Sequence, residues 1–524
     1  MADTKREIER KFEFPEPDGA GGTGKAGKSG KKASKAARHA LPDLAGTAGI
    51  AAVRDEGTVD LDAVYYDTRD QRLAADGLTL RRRTGGGDAG WHLKLPVSPG
   101  VRDEVSAPLG DSVPPALAAL VRSRVRGAAL EPQVRLRSSR KVSHLLDADG
   151  AVLAELSTDT VRAEREEAAA AWTEVEVELA DGVDPALLDA VEKRFGKAGL
   201  RVSDAPSKVA RALDETGAPP PARPEPAPDD DSAGAYVLSY LREQLDAVIA
   251  QDPAVRRNLP DSVHQLRVAT RRTRSAFKTY REVLDRDVTD PLGDELRWLA
   301  AELGVDRDQE VLLERLQTRL GELPRTLLLG PVRGRLRVWN NARRSGSRRR
   351  ALAALDSKRY LTLLDSLDAL LADPPLLEGA ARPAEDVLPQ AVIHDHGRLA
   401  KRIGAALDLK PGHERDLALH EARKAAKRSR YAAEAAVPAL GKPAKRLAKA
   451  VKKVQTLLGD HQDSVVAREA LLGLGVQAAA AGESAFTWGV LHAREEALAD
   501  RRERELPDVW EKASDPALRA PLAG

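Results

Sequence analysis

A proline-rich seam, Gly217 to Ser232 with the sequence GAPPPARPEPAPDDDS, separates two stretches of chain whose hydrophobic patterns have different periods. Prolines and acids at this density leave nothing to bury and favour an extended linker. Before the seam, short segments alternate charged and apolar residues with period two: Glu7 to Phe12, Leu78 to Arg83 and Thr173 to Leu179. Period two puts every second side chain on one face and predicts antiparallel strands. After the seam, segments rich in Ala, Leu and Arg repeat at helical spacing, as in Ser262 to Leu284, Arg359 to Leu371 and Leu417 to Val437. The expected fold class is therefore α+β multidomain: a β domain over 1–215, a Pro/Asp-rich linker over 216–233 and an all-α domain over 234–515.

With 524 residues, 42% hydrophobic and 31% charged, the chain has enough apolar material for two or more cores. It contains no cysteine, which excludes disulfides, thiolate metal sites and cysteine nucleophiles and fits a reducing compartment. The opening MADTKREIERKFEF is too charged for a signal peptide, and no stretch approaches the ~18 to 20 apolar residues of a membrane span. The expectation is a cytoplasmic protein with no membrane partner. Lys plus Arg number 83 against 81 Asp plus Glu, so net charge gives no warrant for nucleic acid either; local clustering must carry any such argument.

One motif is rejected. Gly22 to Ser29 fits the phosphate-loop pattern G-x-x-x-x-G-K-S. A working phosphate loop follows a buried parallel strand and opens an amphipathic helix. This one follows Pro15 and Pro17 inside a Gly/Lys/Ser-rich insertion, 19–37, that generates such matches by composition.

Glu7, Glu9 and Lys11 share one strand face, which sets two carboxylates beside a cation as needed to hold a divalent metal next to a phosphate. The same alternation groups Arg81 with Arg83, His92 with Lys94, Arg102 with Glu104, and Glu174 with Glu176 and Glu178. A solvated sheet face accounts for any one of these; together they also suit a closed barrel with a charged interior. The order of motifs resembles the CYTH family, the triphosphate tunnel metalloenzymes: E-x-E-x-K, an L-R-x-R strand, a W-x-x-K strand, then E-x-E-x-L followed by Ser-Lys, spanning Met1 to Glu215. The resemblance implies an eight-stranded antiparallel tunnel barrel with flanking helices, which binds triphosphate compounds with Mg²⁺ or Mn²⁺ and in most members cleaves the terminal phosphoryl group. It implies Glu7, Glu9, Asp159, Glu176 and Glu178 as metal ligands, and Lys11, Arg81, Arg83, Lys94 and Lys208 as phosphate clamps. Arg135, Arg137 and Arg140 cluster where it places one or two further clamps, with Arg137 and Arg140 equal candidates because the register there is open. Lys11, beside Glu7 and Glu9, is a candidate for orienting the attacking water.

The helical half repeats itself. His264, Arg267, Arg271 and Arg274 recur as His420, Arg423, Lys427 and Arg430, each 156 residues further on, at offsets that share one helix face. Leu303-Gly304 with Asp308 reappears as Leu458-Gly459 with Asp463. Two such faces form a basic cleft for a long polyanion, widened by Arg272, Lys278, Lys424 and Arg428. Aromatic residues make up only 3% of the chain, too few for base-stacking platforms, so a polyanion without bases fits better than nucleic acid. The arrangement resembles the CHAD family, the conserved-histidine α-helical domain, over Ala235 to Pro507. That resemblance implies two repeated helical bundles that bind inorganic polyphosphate, with association at polyphosphate granules as a corollary. The leading expectation is a metal-dependent triphosphatase tied to polyphosphate. A non-catalytic polyphosphate scaffold and a CYTH-type adenylate cyclase are the alternatives.

Overall fold

The computed structural model describes residues 3–15, 41–221, 231–344 and 346–522, with the side chains at 3, 305–308, 342–344 and 347 left out of the description. The insertion 19–37 with its phosphate-loop-like pattern, most of the proline-rich seam, and the Asp308 side chain lie outside the described residues. The chain divides into two compact units, Met1–Arg223 and Pro224–Gly524.

The first unit is a barrel. Its strands are β1 (Asp3–Glu13), β2 (Ala52–Asp67), β3 (Thr79–Thr84), β4 (Gly90–Ser98), β5 (Val101–Ala107), β6 (Glu131–Leu146), β7 (Val152–Arg165), β8 (Ala168–Leu179) and the two-residue β9 (Arg201–Val202). They are ordered β5-β4-β3-β2-β6-β7-β8-β1, and β1 pairs back onto β5, so eight antiparallel strands close and β9 hangs on the end of β1. Closure depends on β1 changing partner halfway: Asp3 to Ile8 pair with β5, while Glu9 to Glu13 pair with β8. A closed sheet leaves no edge for another chain to extend.

Strand alternation then sorts the side chains. Outward, Phe12, Val175 and Val177 are covered by α3 (Ala186–Lys197) through Leu187, Leu188, Val191 and Phe195. The Phe12 and Phe195 rings meet edge-on at 4.8 Å, and each ring is fully buried, which contributes roughly 1.5–3 kcal/mol apiece. On another side of the barrel, Leu80, Trp91, Leu93, Leu95 and Val105 are covered by α2 (Pro115–Val125), next to the short α1 (Arg72–Ala75).

Helix α4 (Lys208–Glu215) does something else. Its Val209, Ala212 and Leu213 pack on Tyr65, Leu136, Val161 and Trp172. Those four share the strand parity of the inward-facing residues, so α4 fills the interior with apolar side chains at one end. Ser207 caps it, its hydroxyl accepting from the Ala210 amide at 3.1 Å.

The second unit is all helix apart from isolated bridges. Its α-helices are α5 (Ala233–Arg256), α6 (Ser262–Thr279), α7 (Arg286–Glu302), α8 (Gly304–Gly321), α9 (Val332–Arg344), α10 (Ser347–Asp356), α11 (Lys358–Ala372), α12 (Ala384–Leu407), α13 (His413–Ala435), α14 (Val437–Ala480), α15 (Phe486–Ser514) and α16 (Pro516–Arg519). The expected helix from Ser262 stops at Thr279, not Leu284, because Asp285 caps a new helix by accepting from the Asp287 amide at 2.9 Å. Helix α14 kinks at Gly441, whose φ of 60° suits a residue without Cβ. The repeated helices α6 and α13 share one core: Leu266, Ala269 and Phe277 meet Leu419, Ala422 and Ala426. A second core joins α8 and α9 to the far part of α14 and the near part of α15 around Leu316, Trp339, Leu474 and Trp488. No described helix is long and apolar enough to cross a membrane.

Candidate functional site

The barrel interior is a cavity of about 1040 Å³ lined mainly by charged side chains. Most of the strand residues that reach it share one parity: Glu7, Glu9 and Lys11 from β1, Arg81 and Arg83 from β3, His92 and Lys94 from β4, Arg102 and Glu104 from β5, Arg140 from β6, Glu155 from β7, and Glu176 and Glu178 from β8. Lys208 enters from the first residue of α4.

Three buried acids, Asp159, Glu174 and Glu176, bring ligand oxygens within 4.8 Å of one another. Two cations hold them. Arg140 forks onto Asp159 at 2.8 and 2.7 Å and reaches Glu176 at 3.0 Å. The Lys208 ammonium lies 2.6 Å from Asp159, 2.6 Å from Glu176 and 3.1 Å from Glu174. Burial opposes ionisation of Asp159 and Glu176, but Lys208 first, then Arg140 on Asp159 and Lys11 and Arg140 on Glu176, keep both carboxyls below their usual range. Lys11 bridges Glu9 at 3.4 Å and Glu176 at 3.2 Å, which ties β1 to this cluster.

The opposite part of the interior is cation-dominated. Lys94 contacts Glu7 at 2.6 Å and Glu104 at 3.5 Å; His92 Nδ1 sits 2.8 Å from Glu104, and Arg81 donates to the Tyr65 hydroxyl at 3.4 Å. Burial, then the neighbouring Arg81 and Arg140, pulls the Arg83 guanidinium down to about 10, although Arg83 also pairs with Asp88. Burial raises the Glu7 carboxyl even though Lys94 opposes it.

The donors fit a hard divalent ion. All are carboxylate oxygens, with no sulfur and no imidazole in the three-acid group, the chemistry that suits Mg²⁺ or Mn²⁺. Glu174 Oε1 is buried and receives no directed hydrogen bond, so lone-pair capacity remains.

In the helical unit the repeated cations gather where α6 and α13 pack. Arg267 lies over Gly304, with Nη1 donating to the Gly304 carbonyl at 3.3 Å, and a Cβ there would fall 3.0 Å from the guanidinium. The second copy repeats this: Arg423 lies over Gly459, where a Cβ would come within 3.5 Å. His420 Nδ1 is 2.7 Å from Gln462 Oε1. Lys427 stands among Arg423, Arg271 and Arg267, with Asp463 the acid that acts on it. Burial first, then Arg423 and Arg271, brings its ammonium down to about 7.

Comparison with known proteins agrees with both halves. The CYTH domain model matches residues 38–213 and the CHAD domain model matches 239–472. An uncharacterized protein of Mycobacterium tuberculosis, MT2285 in strain CDC 1551 / Oshkosh and Rv2226 in strain H37Rv, is 39% identical over 492 residues, 90% of this chain and 93% of the relative. The chain is a CYTH-CHAD protein. Among solved structures, PptA from Streptomyces chartreusis aligns with 53% of it and 99% of its own length at 24% identity, with a TM-score of 0.45. CYTH members are triphosphatases or cyclases, and their tunnels use divalent metals.

Within this CYTH-CHAD protein, not every sequence-predicted residue lands as expected. Arg137 is on the outside of the barrel, where it pairs with Glu164 at 3.0 Å and Asp62 at 3.7 Å; period two puts it on the face opposite Arg140, which is the one inside. Glu178 lines the cavity but pairs with Lys5 at 2.5 Å and is outside the three-acid group, where Glu174 stands instead. Arg272 leaves the basic stripe: it pairs with Glu434 at 2.9 Å and lies over the Tyr431 ring. Arg428 is bound to the buried Asp395 at 2.9 Å and to the Lys278 carbonyl at 2.7 Å, which makes it a structural tie. Arg430 pairs with Glu434 at 3.5 Å, and Lys424 with Glu421 at 2.7 Å. His264, Arg274 and Lys278 are partly exposed or exposed on α6.

Glu104, His92 and Tyr65 were not singled out as site residues from the sequence, because nothing in a period-two strand says which acid or ring meets a cation across the barrel. Asp416, His461 and Glu503 form a further group of ligand type. Arg468 on Asp416 and Arg415 on Glu503, both at 3.0 Å, close it, with His461 Nε2 3.3 and 3.2 Å from the two acids. Burial works against charge on His461, but the two carboxylates outweigh it and raise its pKa. This cluster ties α13, α14 and α15 together.

Proposed function

We propose that the barrel hydrolyses the terminal phosphoanhydride of inorganic tripolyphosphate or another triphosphate compound with Mg²⁺ or Mn²⁺, and that the helical unit binds inorganic polyphosphate. The observation that carries this reading is a buried group of three converging acids set among the interior cations: pure anion binding has no use for Asp159, Glu174 and Glu176 beside the clamp.

A divalent ion held by Asp159, Glu174 and Glu176, with Glu7 and Glu9 on β1 as further carboxylates, would neutralise phosphate oxygens and lower the barrier to attack by water. Arg81, Arg83, Lys94, Arg140 and Lys208 clamp the chain and stabilise charge as the P–O bond to the bridging oxygen breaks. Lys11, set between Glu9 and Glu176, orients the attacking water. Tripolyphosphate would yield orthophosphate and pyrophosphate. The test incubates full-length protein with tripolyphosphate, ATP or thiamine triphosphate in Mg²⁺, Mn²⁺ or EDTA. Orthophosphate released with metal and abolished by EDTA supports the reading; pyrophosphate with cyclic AMP from ATP marks a cyclase, and no turnover leaves a scaffold.

For the helical unit, Lys427 gives a pH signature. An anion seated against it raises its pKa from about 7 towards the ordinary lysine range, so binding takes up a proton above pH 7. Affinity for long-chain polyphosphate then falls as pH rises above 7, by at most about tenfold per unit, and this group adds nothing below pH 7. Two more titratable groups stand beside Arg423: burial lowers the His420 pKa from 6.5, and burial raises that of the Asp463 carboxyl from 3.8. Calorimetry in buffers of different ionisation enthalpy reads the proton uptake at pH 8, and Lys427→Met should remove it.

A further inference from the structure

The three acids best arranged for a metal are already occupied by a cation of the chain itself. The Lys208 ammonium touches all three, at 2.6, 2.6 and 3.1 Å, whereas Arg140 touches two and is committed as a fork to Asp159. An ammonium at the point where Asp159, Glu174 and Glu176 converge and a divalent ion on the same oxygens repel and compete for the same lone pairs. The backbone of Lys208 cannot move aside, because it opens the Ser207-capped α4, whose Val209, Ala212 and Leu213 are anchored in the apolar end of the barrel. Its flexible four-carbon stem can, and the cavity it borders gives it room.

We propose that Lys208 is an internal counter-ion that a divalent metal must displace from Asp159, Glu174 and Glu176, so that this one side chain sets the metal affinity of the barrel. The inference rests on reading the interior as a metal-dependent triphosphate site and adds a positioning role to the phosphate clamp assigned to Lys208. Once displaced, the ammonium is free for the substrate's phosphates, so metal arrival and substrate clamping are linked through one group. In the metal-free protein the same ammonium keeps the buried acids compensated.

The experiment is Mn²⁺ titration of the full chain by calorimetry at neutral pH, without substrate. Lys208→Met should bind Mn²⁺ about tenfold or more tightly than the unaltered protein. Lys208→Arg, which keeps the charge, and Lys141→Met, which removes an exposed charge on the outer wall, should stay within about twofold. Melting in EDTA should show Lys208→Met less stable, with a larger gain on adding Mn²⁺. Should that variant not fold without metal, Lys208→Gln gives the same reading. Unchanged or weaker Mn²⁺ binding by the neutral variants, or equal tightening by Lys208→Arg, overturns the proposal. Orthophosphate release from the same preparations separates this from the triphosphatase reading: tighter Mn²⁺ without turnover discards only hydrolysis, and turnover with unchanged Mn²⁺ affinity discards only the counter-ion role.

Discussion

Replacing Arg140 with Ala lowers tripolyphosphate turnover by about two to three orders of magnitude, while Arg137→Ala leaves it within about twofold. The two arginines are three positions apart on one strand and differ in everything that matters for chemistry. Arg140 is inside, forked onto a fully buried Asp159 and in contact with Glu176. Removing it takes away a fixed donor aimed at the cavity and leaves two buried carboxylates with less compensation, a loss that runs to about 3–5 kcal/mol when a buried pair is broken. Lys208 still faces both acids and moderates that cost. Arg137 is half exposed and pairs with Glu164 and Asp62 on the outer surface, so its removal changes stability by less than about 1 kcal/mol. Arg140→Lys separates folding from catalysis: it keeps a charge but not the fork, so the melting temperature recovers while turnover stays at least about tenfold down. Steady-state orthophosphate release with parallel melting curves checks all three, and equal effects of Arg137→Ala and Arg140→Ala would falsify the assignment of inner and outer faces.

The second large effect is expected in the helical unit. Arg271→Ala with Arg423→Ala should weaken long-chain polyphosphate binding about a hundredfold at low salt and reduce the slope of log K against log salt by about 1.4, taking roughly 0.7 per lost phosphate contact. Both guanidiniums are on the packed face of α6 and α13, and their recorded ties are modest: Arg271 donates to the Tyr431 hydroxyl at 3.3 Å, and Arg423 is 3.5 Å from Asp463. The fold should therefore survive. Arg428→Ala is the contrast. Its loss takes the charged partner from Asp395, which is only 1% exposed and keeps just the Thr279 hydroxyl at 2.6 Å, and should lower the melting temperature with little change in the salt slope. Titration of polyphosphate across a salt series, with melting curves, distinguishes the two classes; a steep salt dependence that both variants leave intact places the polyanion elsewhere.

Much of this is legible in the sequence. The change of period at the seam separated strands from helices, and alternation put Glu7, Glu9 and Lys11 of β1 on one face, which the family resemblance made the inner one. Alternation also contained the answer to Arg137 against Arg140, since an odd separation puts them on opposite faces, but it had no anchor to say which face is inside. The register supplies it: Arg140 is opposite Asp159, and Asp159 is opposite Glu174. Arg272 and Arg428 were over-assigned because charge density in α6 and α13 was read as one broad surface, and a step of one residue turns a helix by ~100° away from the stripe. The repeated Leu-Gly pair was visible as a pattern, yet its reason was not. Glycine at 304 makes room for the Arg267 guanidinium, a contact between separate helices that no local sequence rule contains, while a Cβ at 459 would meet Arg423 at an ordinary 3.5 Å.

The apolar stopper formed by α4 and the inner residues Tyr65, Leu136, Val161 and Trp172 has a topological consequence. A passage open at both ends could thread a polymer and cut it anywhere along its length. A blind one admits a linear molecule only tip first, and whatever is cut off must back out through the entrance. If the proposed hydrolysis extends to a long phosphate chain, that chain would be shortened from its terminus, unit by unit, with its interior linkages out of reach until each in turn became an end.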